Sequence, residues 1–179
     1  METPTSTSPQ PVTESCGPMF APAQKEHAWL QKLVGTWTFE SESVGEPGQP
    51  NSKQHGTESV KSIGDLWIIG EGQGDMPGGG TATMMITLGF NPVRNRFVGT
   101  WVGSMMSHLW VYDGELDASG RVLTLHSEGP SFTDPTKLAK YQDIIEVITD
   151  DHRSLTSRSR GEDGSWTPFM TAHYRRVKA

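Results

Sequence analysis

The residues best equipped to do chemistry in this chain are its six histidines, because imidazole is the commonest metal ligand and titrates near neutral pH. The most conspicuous is His108, which interrupts the apolar and aromatic stretch Thr100–Gly114, TWVGSMMSHLWVYDG. In an extended chain successive side chains point to opposite faces, so Ser104, Met106, His108, Trp110 and Tyr112 share one face while Met105, Ser107, Leu109 and Val111 share the other. The first set mixes bulk with a few hydrogen-bonding tips, as the wall of a ligand cavity does. The second reads as plain packing. His108 is therefore expected to point inward, as a pocket-lining group or as a core histidine satisfied by a Ser, Tyr or carboxylate opposite it.

The remaining histidines carry less signal. His27 falls on a helical segment, His55 in a polar loop and His152 after an acidic turn, and all three read as surface residues. His126 and His173 lie in strand-like segments. No compact spacing such as His-x-x-x-His or Cys-x-x-Cys occurs, and one cysteine, Cys16, cannot supply a thiolate site, so no metal centre is expected. The Gly-rich run Gly70–Gly80 matches neither dinucleotide nor phosphate-loop patterns and precedes a strand, so it reads as a hairpin loop at a barrel mouth. Gly103-Ser104-Met105-Met106-Ser107 lacks the second glycine of a nucleophile elbow. Glu58, Glu71, Glu128 and Glu146 are available as paired carboxylates, with nothing in their spacing to set a distance. No catalytic residue is assigned.

These residues must be positioned by a small domain: 179 residues with a formal net charge of -6 suit one folded unit and disfavour nucleic-acid binding, which needs clustered Lys and Arg. The only dense basic cluster is Arg175-Arg176-Val177-Lys178. No segment is long and apolar enough to span a bilayer, the first residues resemble no secretory signal, and a single cysteine suits a reducing compartment. A cytoplasmic location is expected, with a homo-oligomer left open. Residues 1–22, rich in Pro, Ser and Thr, read as a disordered tail, and 23–179 as one domain.

From Ala23 the sequence AQKEHAWLQKLVG repeats Trp29, Leu30, Leu33 and Val34 at helical spacing, and Gly35 offers a left-handed stop. This is the only convincing helix. Beyond it the period becomes two, and strands are predicted over Thr36–Val44, Thr57–Ile63, Leu66–Gln73, Thr81–Phe90, Asn95–Gly103, Met106–Asp113, Val122–Glu128, Lys137–Thr149, His152–Arg160 and Ser165–Arg176. Turn residues such as Asn91-Pro92 and Glu162-Asp163-Gly164 separate them. About ten antiparallel strands after one helix predict a closed up-and-down barrel, because closure removes exposed edges. Ten strands widen a barrel beyond the eight or so that side chains just fill. A cavity is therefore expected unless the six Trp, six Phe and eight Met occupy it.

Gly35-Thr36-Trp37 resembles the Gly-x-Trp signature of lipocalins and related calycins, which implies a helical segment closing one barrel end over the Trp. Together with His27–Trp37, Phe97–Met106, Glu128–Phe132 and Phe169–Arg176, it is similar to a bacterial family catalogued as domain of unknown function 1579, over the chain from about Lys25 onward. That resemblance implies the barrel and no established activity. A more distant likeness is to nitrobindins, ten-stranded haem barrels whose axial histidine precedes an aromatic-basic ending. Matching Tyr174-Arg175-Arg176 to that ending places the ligand position near Phe169, which cannot bind iron, and puts His173 on the face opposite Tyr174.

The expectation is thus a non-enzymatic or weakly catalytic barrel holding a small, largely apolar molecule, with Trp101, Met106, His108, Trp110 and Tyr112 lining or closing its cavity and no cofactor. Two alternatives stand beside it: a haem- or metal-dependent enzyme of the nitrobindin kind using His108 or His173, and a structural or interaction barrel with a solid core.

Overall fold

The structure is a computed structural model that describes residues 22–44, 51–76 and 78–178. Apart from Pro22, the predicted tail lies outside the described residues, as does Cys16. Among the described residues one helix, α1 (Lys25–Gln31), precedes ten strands: β1 (Gly35–Ser43), β2 (Ser52–Ile63), β3 (Trp67–Asp75), β4 (Thr81–Asn91), β5 (Arg96–Gly103), β6 (Trp110–Leu116), β7 (Val122–Pro130), β8 (Leu138–Thr149), β9 (His152–Arg160) and β10 (Trp166–Arg176). Each strand pairs antiparallel with its sequence neighbours, and β1 pairs with both β2 and β10, closing the barrel. The predicted closed ten-stranded barrel with one short N-terminal helix is the fold observed.

Several local expectations change. β2 begins at Ser52 rather than Thr57; its first turn of sequence, Ser-Lys-Gln-His, carries no apolar alternation, yet it completes the ladder against β1 from Ser43↔Ser52 onward. β6 begins at Trp110 rather than Met106. Ser104 instead folds back on β4, its backbone N–H donating to Thr83 O at 2.9 Å and its Oγ accepting from Thr83 N at 3.0 Å, and a turn follows in which Met106 N donates to Gly103 O at 3.2 Å. Strand alternation therefore governs Trp110 and Tyr112 but not Ser104, Met106 or His108. The Gly-rich run is not all loop: Gly70, Gly72 and Gly74 lie in β3 and are buried. A Cβ on Gly74 would stand 3.0 Å from the Phe39 ring, and one on Gly70 would stand 3.1 Å from Glu58 Oε1. The glycines of this face make room for those two side chains.

Helix α1 stoppers one end. Leu30, Leu33 and Trp37 are almost fully buried, with exposures of 0 %, 2 % and 1 %, and the Trp37 indole donates to Leu33 O at 2.9 Å. Arg176 locks this end from the last strand. It donates to Val34 O at 2.6 Å and Lys32 O at 2.9 Å and lies over the Trp37 ring at 4.2 Å. Gly35 makes that approach feasible: its φ of +137° suits glycine, and a Cβ there would lie 2.3 Å from Arg176 Nη1. His27, predicted to be a surface residue, is buried at 3 % exposure. Its Nδ1 accepts from Gln24 N–H at 2.9 Å and its Nε2 faces Phe90 O at 3.2 Å, so it caps α1 and pins the helix to β4.

A candidate ligand site in the barrel interior

Alternation along each strand builds the inner wall. Ile68, Leu88, Phe97, Leu123 and Leu125 are at most 1 % exposed, and they would make an ordinary solid core by themselves. Within that wall is a void of about 40 Å³, lined by aliphatic residues including Val60, Ile86, Leu88, Leu125 and Leu155, and by Trp101. Glu58, Asp143, Arg153 and Tyr174 line it as well. A polar void of this size can hold at least one water, which needs roughly 10–15 Å³.

The charged groups form two clusters. Arg153, 5 % exposed, pairs through Nη2 with Glu58, 13 % exposed. Its guanidinium lies 3.9 Å from the Tyr174 ring centre and 4.9 Å from that of Trp37, contacts favourable to a planar cation. Arg153 Nε is buried and has no hydrogen-bond partner among the described residues. In the second cluster the Tyr112 and Ser157 hydroxyls donate to the two oxygens of Asp143. Burial pushes the Asp143 carboxyl above its ordinary value, against the opposing pull of those two hydroxyls. Burial, followed by the neighbouring Asp143, holds the Tyr112 phenol well above its usual range; burial and Glu58 likewise raise Tyr174. Ser127 Oγ, on the inner face of β7, is also buried without a partner among the described residues.

The Asp143 shift fixes a pH dependence. A carboxyl raised in the folded chain binds its proton more tightly there than in the unfolded chain, so stability falls as pH rises from its ordinary value of 3.8 through the raised one. Above that window the effect is constant. Urea titrations from pH 4 upward should show this decline in the wild type, and Asp143→Asn should flatten it; an unchanged slope in the variant would assign the decline to other groups.

The end opposite α1 is covered by aromatic rings. His108, just before β6, stands edge-on to Trp110 at 4.9 Å, and Trp110 stands edge-on to Tyr141, also at 4.9 Å. Phe132, from the β7–β8 connection, meets Tyr141 at 5.4 Å and Phe169 at 5.0 Å. Phe169 reaches this cluster because the β9–β10 register shifts between Pro168 and Met170, a bulge that re-aims the side chain. Outside the rings, Phe132, Tyr141, Lys137 and Arg160 border an open cleft of about 740 Å³.

The residues singled out from sequence divide between these two places. Trp101 lines the void, and Tyr112 is buried beside it with its hydroxyl on Asp143. Trp110, His108 and Met106 belong to the mouth: Trp110 donates to Met106 Sδ at 3.1 Å, and His108 Nε2 lies 3.0 Å from Glu128 O. Met106 is 44 % exposed. The Glu58–Arg153 pair and Asp143 were not singled out, although Glu58 was named among the loose carboxylates. No histidine lines the void; His173 is exposed and pairs with His152 at 3.2 Å, Nδ1 to Nε2, on the outer face. Among the described residues no group of three His, Cys, Asp or Glu is placed to hold a metal ion, and no helix is long and apolar enough to cross a membrane.

The profile of the family described as Protein of unknown function (DUF1579) matches residues 22–176. No curated protein matches the chain. Among solved structures, the S-type phycobiliprotein lyase CPES from Guillardia theta superimposes with a TM-score of 0.59 at 14 % identity, over 88 % of this chain and 94 % of that one. Rv2717c from M. tuberculosis superimposes with a TM-score of 0.57 at 14 % identity, over 83 % of this chain and 95 % of that one. At this identity the likeness is one of fold.

Proposed function

The chain belongs to this family of unknown function, so its role has to be read from its own interior, and we propose that it is a cytoplasmic barrel that binds a small, largely apolar molecule inside, with access through the aromatic mouth. One observation carries the reading: a void walled by aliphatic side chains is also reached by Glu58, Asp143, Arg153 and Tyr174. A core built for stability alone gains nothing from buried charges, since replacing a buried ion pair by apolar groups is often neutral or stabilising. Trp101 and Tyr112 form the deep wall in this reading. Trp110, His108 and Met106 guard the mouth, and the flexible Met84, packed against the core, can yield as a ligand seats.

The test is a titration with Nile red, a neutral apolar dye. A saturable fluorescence gain at one equivalent is expected, abolished by Leu155→Trp, whose indole would fill the void, while circular dichroism shows the barrel intact. A linear, unsaturable response would refute interior binding. The mouth makes a separate kinetic prediction. Phe132 is 67 % exposed, so Phe132→Ala should cost little stability yet speed dye uptake and release severalfold in stopped flow, with an almost unchanged dissociation constant.

A ligand-free structural barrel is the second reading, favoured by the small volume of the void, about 40 Å³. It expects no saturable dye binding and the same thermal midpoint with and without added ligand.

A further inference from the structure

We infer that the interior site selects ligands carrying a neutral hydrogen-bond acceptor, such as a ketone, aldehyde, ester or ether oxygen, and rejects carboxylates and other anions. This inference rests on the interior-binding reading and adds the class of its ligand.

It follows from how the one buried guanidinium is already committed. Arg153 Nη2 is paired with Glu58, and the guanidinium carbon lies 3.9 Å from the Tyr174 ring centre and 4.9 Å from that of Trp37. Its Nε is a buried donor with no acceptor among the described residues, and a buried donor left unpaired is a standing cost that an acceptor oxygen would relieve. The positive charge, in contrast, is spent. Glu58 neutralises it within the same lining, and Asp143 contributes a second carboxyl whose oxygens are occupied by Tyr112 and Ser157. An anionic head brought to Nε would put another negative charge beside Glu58 in a poorly hydrated space, with no cation left to pair with it. A carbonyl or ether oxygen takes the same donor and adds no charge. Behind it, Ile86, Leu88, Leu125 and Leu155 offer an alkyl chain only aliphatic contacts.

Glu58 is therefore the selectivity determinant. Its removal should free Arg153 to act as an anion receptor, which the cation–π contacts from Tyr174 and Trp37 would hold in place.

The experiment displaces Nile red with 2-octanone or octanoate, compounds matched in chain length and differing in head charge, at pH 7 on the full chain. For the wild type, 2-octanone should compete at least about tenfold better than octanoate, a difference worth about 1.4 kcal/mol. In Glu58→Gln, with folding checked by circular dichroism, octanoate should gain and the order should reverse. Octanoate competing as well as 2-octanone in the wild type would overturn the inference even if the variant failed to fold. So would failure of both compounds while the dye still saturates, a result that leaves interior binding standing. Absence of saturable dye binding would remove both.

Discussion

Replacing Trp37 with alanine is expected to lower the unfolding free energy by about 4 kcal/mol, within the range for truncating a fully buried tryptophan. In a chain of this size that is roughly a 10 °C fall in thermal midpoint. The indole is 1 % exposed and serves three partners at the stoppered end: it donates to Leu33 O at 2.9 Å, supports the Arg176 guanidinium at 4.2 Å and flanks Arg153 at 4.9 Å. Its loss opens a cavity beneath α1 and loosens the clasp by which Arg176 holds the carbonyls of Lys32 and Val34. Trp37→Phe separates the contributions, since it keeps most of the bulk but leaves Leu33 O without its donor. A loss nearer 1 kcal/mol is expected there, the usual worth of one such hydrogen bond. Equilibrium urea denaturation of both variants checks this, and a loss below 1 kcal/mol for the alanine would mean that the helix end is not held by this residue.

Arg153→Met should cost about 3 kcal/mol, because removing one partner of a buried ion pair strands the other. The lower end of the known range is chosen because Glu58 retains 13 % exposure and so some hydration. The companion Glu58→Gln/Arg153→Met, which removes both charges, should recover most of that loss, as replacing a whole buried pair is often close to neutral. The double-mutant cycle therefore carries the information: a coupling of at least 1 kcal/mol is expected for groups in direct contact. Additive effects would show that the two side chains do not depend on each other.

Much of this barrel was legible in the sequence because its strands obey a period of two between short turns. Where that period fails, the boundaries shift. Ser52–Gly56 has no apolar alternation to report a strand, yet cross-strand pairing with β1 holds it in the ladder. Met106–Leu109 has apolar residues in abundance, but Ser104 diverts the backbone onto Thr83, so the chain turns before β6 begins. Gly74 reads as part of a loop because glycine punctuates turns; in β3 the missing Cβ atoms of Gly70 and Gly74 accommodate Glu58 and Phe39.

The candidate site was less legible, for a physical reason. His108 is the unusual residue of an apolar stretch, whereas Glu58 and Arg153 sit in strands that are polar at most positions and Asp143 in the apolar-rich β8. The signal was nevertheless present. In β9 the alternate face is His152, Ser154, Thr156, Arg158 and Arg160, polar at every position, which leaves Arg153 on the face of Leu155 and therefore inward. In β2, Lys61, Ser59, Thr57 and His55 are polar throughout and Glu58 shares its face with Val60. What alternation cannot supply is the meeting of the two: Arg153 and Glu58 are 95 positions apart and come together only because the sheet closes between β10 and β1.

The most direct test is nitrogen-15 NMR of the Arg153 Nε–Hε group in the intact chain during titration with 2-octanone. A buried donor that takes up a ligand oxygen should shift downfield along a saturable curve and exchange more slowly with solvent. If the resonance stays in place while 2-octanone reaches its solubility limit, the interior of this barrel is not a ligand site of the kind described.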